Sequence, residues 1–112
     1  MKLGNDVDVS DSASVLLPSL RALFTDADVS RLIELRRDLH RHPELSWKEQ
    51  RTSERLAEVV AALGAERVDR VAGTGVVARF AGRDRTAPVV AVRGDIDALP
   101  IEEATGLPFA ST

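Results

Sequence analysis

The chain has 112 residues, 44% hydrophobic and 29% charged, with a net charge of −3, a balance that fits one globular domain and excludes a disordered polar chain. No apolar run approaches the ~20 residues that span a bilayer, and the few aromatics (Phe24, Trp47, Phe80, Phe109) make no stacking platform for nucleic acid. Cysteine is absent, so these residues hold no disulfide and no thiolate, and a metal here would draw on carboxylates with His40 and His42.

The net charge lies at the start. Residues 1–28 carry Asp6, Asp8, Asp11, Asp26 and Asp28 against Lys2 and Arg21, whereas residues 29–112 are balanced. Residues 1–28 therefore read as an acidic leader followed by a short apolar arm, and the absence of a basic, apolar secretory signal predicts a cytoplasmic protein. Residues 14–24 suit either a short helix with Pro18 in its first turn or an irregular arm. A helix is predicted from Asp28 to His40, where Val29, Leu32, Ile33, Leu35 and Leu39 recur at helical spacing. Pro43 stops it, because the residue before proline is pushed out of the helical region. Ser46 and Glu49 fit a capping box for a second helix, with Trp47 as a core or staple residue at its start. Thr52, Leu56, Val59, Val60 and Leu63 share one face of that helix, and Gly64 suits a left-handed cap at its end.

Beyond Gly64 the apolar period falls towards two. Strands are predicted at Glu66–Val71, Val76–Phe80 and Val89–Arg93, with turns at Gly73-Thr74-Gly75 and Gly82-Arg83-Asp84. The short link between the last two strands favours an antiparallel hairpin over a parallel crossover. Gly94–Thr112, punctuated by Pro100, Gly106 and Pro108, reads as loop. The fold class is α/β, in the order helix, helix, strand, strand, strand.

Asp95 and Asp97 are the sharpest chemical candidates, because the apolar run 89–92 leads straight into them. They could hold or orient a metal ion, alone or with Glu102 and Glu103, or they could simply cap loop N–H groups. His40 and His42 stand about 200° apart on a helix, so one metal cannot take both while the helix continues. The simpler reading has one of them bonding the last helix carbonyls. Gly73-Thr74-Gly75 lies between strands, not before a helix, so it reads as a turn and not as a phosphate loop.

Two stretches in order, Leu35-Arg36-Arg37-Asp38-Leu39-His40-Arg41-His42-Pro43-Glu44-Leu45-Ser46 and Arg93-Gly94-Asp95-Ile96-Asp97-Ala98-Leu99-Pro100-Ile101-Glu102-Glu103, resemble signatures of the M20-type metal-dependent amidohydrolases. The likeness is to the branch of hippurate hydrolases and N-acyl-amino-acid deacylases, and it covers residues 29–112. It implies the N-terminal portion of a zinc-metallopeptidase-like catalytic domain with a mixed sheet, and a complete enzyme that is a homodimer or larger. It implies two divalent ions (Zn, Mn, Ni or Co) in that enzyme, a water-derived nucleophile, and an N-acyl-amino acid as the small-molecule substrate. In this likeness Asp97 orients the metal centre, and Asp95 occupies a slot that is histidine in other branches. The remaining ligands and the general base are expected beyond Thr112, so this chain alone is expected to bind no metal pair and to be inactive. The other expectation is a non-catalytic α+β binding domain derived from the same family.

Overall fold

The computed structural model describes residues 17–112, and the acidic residues 1–16 lie outside the described part. The chain divides into two compact units, one ending at Arg37 and the other running from Asp38 to Thr112.

In the first unit, α1 is a single turn, Pro18–Arg21, so the described part of the apolar arm carries the short helix with Pro18 in its first turn. Pro18 sits where a helix has no use for a backbone N–H. Arg21 donates to the Phe24 carbonyl at 2.7 Å and pairs with Asp26. Helix α2 spans Asp26–Arg41, two residues earlier and one later than predicted, and buries Val29. Its start explains the extension. The Thr25 hydroxyl accepts the Asp28 N–H at 3.1 Å, and the Asp28 carboxylate accepts the Thr25 N–H at 3.0 Å. That reciprocal pair is a capping box built with Asp in place of Glu. The Thr25 hydroxyl and N–H hold the Asp28 carboxyl below its usual range.

The second unit begins with the last turn of α2 and continues into α3, Gln50–Ala62. The predicted Ser46–Glu49 box does not form, and no side chain of the N-cap residue Glu49 caps this helix. The free N–H groups of Arg51 and Thr52 go instead to the two carboxylate oxygens of Glu44, at 3.1 and 2.7 Å. Glu49 is turned away, and it accepts the Thr74 hydroxyl at 2.8 Å. Trp47 is no core residue either. It is 76% exposed, with a φ of 68° that a bulky side chain rarely adopts. The residue lies in the turn between Glu44 and α3, and its indole is left in solvent. Gly64 ends the helix as expected, at φ 88°.

Strands β1 (Arg67–Val71) and β2 (Gly75–Arg79) pair antiparallel, with Val71 opposite Gly75 and Arg67 opposite Arg79. Ala72 and Gly73 take φ of 49° and 86° to turn the hairpin. At Gly75 a Cβ would stand 2.8 Å from the Val71 carbonyl oxygen, so that position admits no side chain without a shift. Both strands pack on α3, where Arg70 reaches the buried Ser53 hydroxyl.

The third strand is the main correction. Residues 89–93 form no strand, and Val89, Val90 and Val92 are 94%, 83% and 95% exposed. An extended segment becomes a strand only when a neighbour takes its N–H and C=O groups. Among the described residues the sheet consists of β1 and β2, and residues 89–93 pair with neither, so the predicted second hairpin does not form. Among the described residues the one parallel pairing is an isolated bridge between Leu45 and Ala98. The described residues thus form an α/β arrangement of helices and a two-stranded sheet. No helix among them is long and apolar enough to cross a membrane.

Candidate functional site

The second unit brings the two sequence motifs together. The Ala98 N–H donates to the Glu44 carbonyl at 2.7 Å, and the adjacent Leu45 forms the bridge to Ala98. A second joint lies five residues further on. His40, in the last turn of α2, meets Glu103 with Nε2 and Oε2 2.7 Å apart. Residues 53 or more apart in sequence are thereby held side by side, although neither motif forms a regular element with the other.

Around the first joint, polar side chains lock the end of α2 to the start of α3. Arg51 donates to the Asp38 carboxylate at 2.7 Å, and Arg55 stands 3.6 Å from its other oxygen. The Arg51 hydrogen bond holds the Asp38 carboxyl below its usual range, against burial. His42 places Nδ1 2.9 Å from the Asp38 carbonyl, so one histidine does bond a carbonyl of the last helical turn. Burial pushes the Glu44 carboxyl up, but the bonds from Thr52 and Arg51 outweigh it and leave the group low.

Around the second joint, Glu103 is nearly enclosed, its side chain 11% exposed. It accepts the Ser111 N–H at 2.7 Å and the Thr105 hydroxyl as well as facing His40. The Ser111 N–H chiefly, with Thr105 and His40, pulls its carboxyl down to about 2. Phe109 stands edge-on to the His40 ring, centroids 6.0 Å apart.

These depressed carboxyls have one consequence for stability. A carboxylate whose folded pKa lies below its unfolded value stabilises the fold fully above the unfolded value, and that contribution is lost as the pH falls through the folded one. For Glu103 the window runs from 4.5 down to about 2, and Asp38 and Glu44 titrate low in the same sense. The thermal midpoint, followed by circular dichroism, is therefore expected to drop on acidification below pH 4.5. A midpoint unchanged from pH 6 to pH 2 would contradict the hydrogen-bond assignments.

Asp95 and Asp97 lie on the exposed chain just before Ala98. Asp95 forms an exposed ion pair with Arg93 at 2.9 Å, which contributes little to stability. The four-acid cluster considered for a metal does not assemble, since Glu103 faces His40. Among the described residues no group of three or more His, Asp or Glu side chains is placed to hold a metal ion. Both histidines are engaged, His40 with Glu103 and His42 with Asp38. The described residues therefore do not by themselves fit a dinuclear metal centre. Glu44 escaped the sequence reading because its bonds reach seven and eight residues ahead, past the capping pattern that marks a helix start.

No family model matches the chain. Over 83 residues it is 49% identical to an N-acetylcysteine deacetylase of Bacillus subtilis, which covers 73% of this chain and 22% of that protein. The crystal structure of Bacillus subtilis YXEP, described as a dinuclear metal-binding peptidase from the M20 family, superposes with a TM-score of 0.66 at 49% identity. That match covers 73% of this chain and 23% of the other. Over this segment the chain is similar to a peptidase of the M20 family. A protein of Rhodococcus jostii bearing a glutamate–cysteine ligase name is also 45% identical, over 87 residues that make up 11% of its length. With so small a share matched, that name says little about the M20-like segment. The chain spans about a fifth of the length of the first curated relatives it matches. Its M20 likeness thus rests on a segment whose described residues carry a frame of polar joints and no metal ligand set.

Proposed function

We propose that this chain is part of a metal-dependent hydrolase of linear amides, one that releases an amino acid from an N-acyl-amino acid, as in the hippurate hydrolase branch. The observation that carries the reading is the meeting of the two motifs, at Leu45 with Ala98 and at His40 with Glu103, in a chain 49% identical to a dinuclear metal-binding peptidase. The deacetylase name of the Bacillus subtilis relative supports an amide substrate with a small acyl group. In this reading two divalent ions, held mainly by residues outside the described set, polarise the amide carbonyl and lower the pKa of a bound water. Asp97 orients that centre. Asp95 stands beside it, a ligand only if its pairing with Arg93 is given up. The chain's own part in this reading is structural: the Glu44 carbonyl and the Glu103 carboxylate hold the residues that follow Asp97 against the end of α2, and Asp38 ties that end to α3. The same reading includes a cytoplasmic enzyme that works as a homodimer or larger assembly.

The test is an assay of a longer protein containing this segment, on N-acetyl and N-benzoyl amino acids with Zn²⁺, Mn²⁺, Ni²⁺ or Co²⁺ added in turn. Release of free amino acid is expected with at least one metal and is expected to disappear with a chelator. Activity that survives complete metal removal, or no hydrolysis of any such amide by a well-folded, metal-loaded protein, would overturn the reading. In the second case the non-catalytic binding domain becomes the better account.

A further inference from the structure

Residues 103–112 contain no helix or strand, so their course depends on a few side-chain anchors. Within the segment the backbone supplies one bond, from the Ala110 N–H to the Leu107 carbonyl at 3.0 Å. Glu103 supplies most of the rest. One carboxylate oxygen faces both the Ser111 N–H and the His40 ring, and the other takes the Thr105 hydroxyl. Nearby, the Thr112 hydroxyl donates to the Arg41 carbonyl at 3.1 Å, and Phe109 lies against His40. The loop thus returns to α2 through Glu103, Phe109 and Thr112, and of these Glu103 also ties the two ends of the loop together.

We infer that Glu103 is a positioning residue: by holding the Ser111 amide and the His40 ring together, it fixes residues 103–112 along the C-terminal end of α2. An ionised carboxylate suits this role, because its oxygens can accept several donors at once and bind each more strongly than a neutral acceptor would. The segment it fixes begins six residues after Asp97, beyond the bridge between Leu45 and Ala98, so bridge and clasp together hold the course of the chain that leaves that aspartate. The consequence for catalysis rests on the amidohydrolase reading, whereas the clasp itself does not. A misplaced reacting group costs rate even when substrate contacts survive.

Amide hydrogen exchange on the 112-residue chain tests the clasp, with Glu103→Ala and Glu103→Gln beside the wild type. Local opening is expected to speed exchange at the Ser111 amide at least tenfold in Glu103→Ala, while amides within α3 change less than twofold. Glu103→Gln keeps one carbonyl acceptor and should recover part of the protection. Ser111 exchange equal in all three proteins would overturn the inference. So would Ser111 and α3 amides accelerating in step, which marks a general loss of stability instead. In a longer, active protein the alanine variant should lower kcat about tenfold with KM within twofold, and the glutamine variant should restore much of the rate. Unchanged kcat beside a lost Ser111 protection would remove the catalytic consequence and leave the amidohydrolase reading standing. An inactive wild type whose Ser111 amide is protected by Glu103 would instead remove that reading and leave the clasp.

Discussion

Glu44→Ala is expected to lower the unfolding free energy of the chain by about 2 kcal/mol, as measured by urea denaturation. The first N–H groups of a helix have no partner inside it, and an unpaired donor at a packed start is costly. Here both Glu44 oxygens are committed, one to Arg51 and one to Thr52. The negative charge also lies at the positive end of the α3 dipole. Alanine removes both acceptors and the charge, and leaves the Glu44 carbonyl free to keep its bond with Ala98. Glu44→Gln retains one acceptor and should lose roughly half as much. Ser46→Ala is the informative contrast. The local pattern makes Ser46 the cap, but it is exposed and α3 is capped from elsewhere, so the change should stay within about 0.5 kcal/mol. A larger loss at Ser46 than at Glu44 would return the cap to the local box.

Asp97→Asn is expected to reduce kcat by about 10- to 100-fold in a longer, active protein, the range for residues that orient a metal's ligands. Asparagine keeps the shape of the side chain but replaces one acceptor oxygen with a donor and removes the charge. The loss should therefore fall on the orientation of the metal centre and leave the fold intact. Asp97 is exposed, and the neighbouring bridge uses the backbone of Ala98, so denaturant midpoints should match the wild type. Unchanged kinetics would exclude Asp97 from the site. Asp95→Asn separates the two aspartates, since Asp95 already has a partner in Arg93 and its removal breaks an exposed ion pair. A larger loss of rate at Asp95 than at Asp97 would exchange their roles.

The sequence by itself determined the elements whose signals are local. The apolar spacing from Val29 to Leu39 sufficed for α2, the face from Thr52 to Val60 for α3, and Gly64 for its end. Thr25 and Asp28 also form a box by adjacency. Such features repeat within four residues, where chain connectivity alone brings the groups together. The two motifs carried the family likeness in the same local way, because each is an unbroken run of residues.

Tertiary structure decided everything that needed a partner distant in sequence. Val89–Val92 has the composition of a central strand, but composition cannot supply the neighbour whose N–H and C=O groups complete a ladder, and the segment lies exposed. Glu44 and Glu49 are both acids near the same helix start, and only the packing of the hairpin on α3 sends Glu49 to Thr74 and leaves the helix to Glu44. Glu103 reads as a loop acid until the chain folds back and sets His40 and Ser111 against it. A carboxylate accepts whichever donors the fold brings within reach, so its residue type fixes its chemistry and the fold fixes its partner.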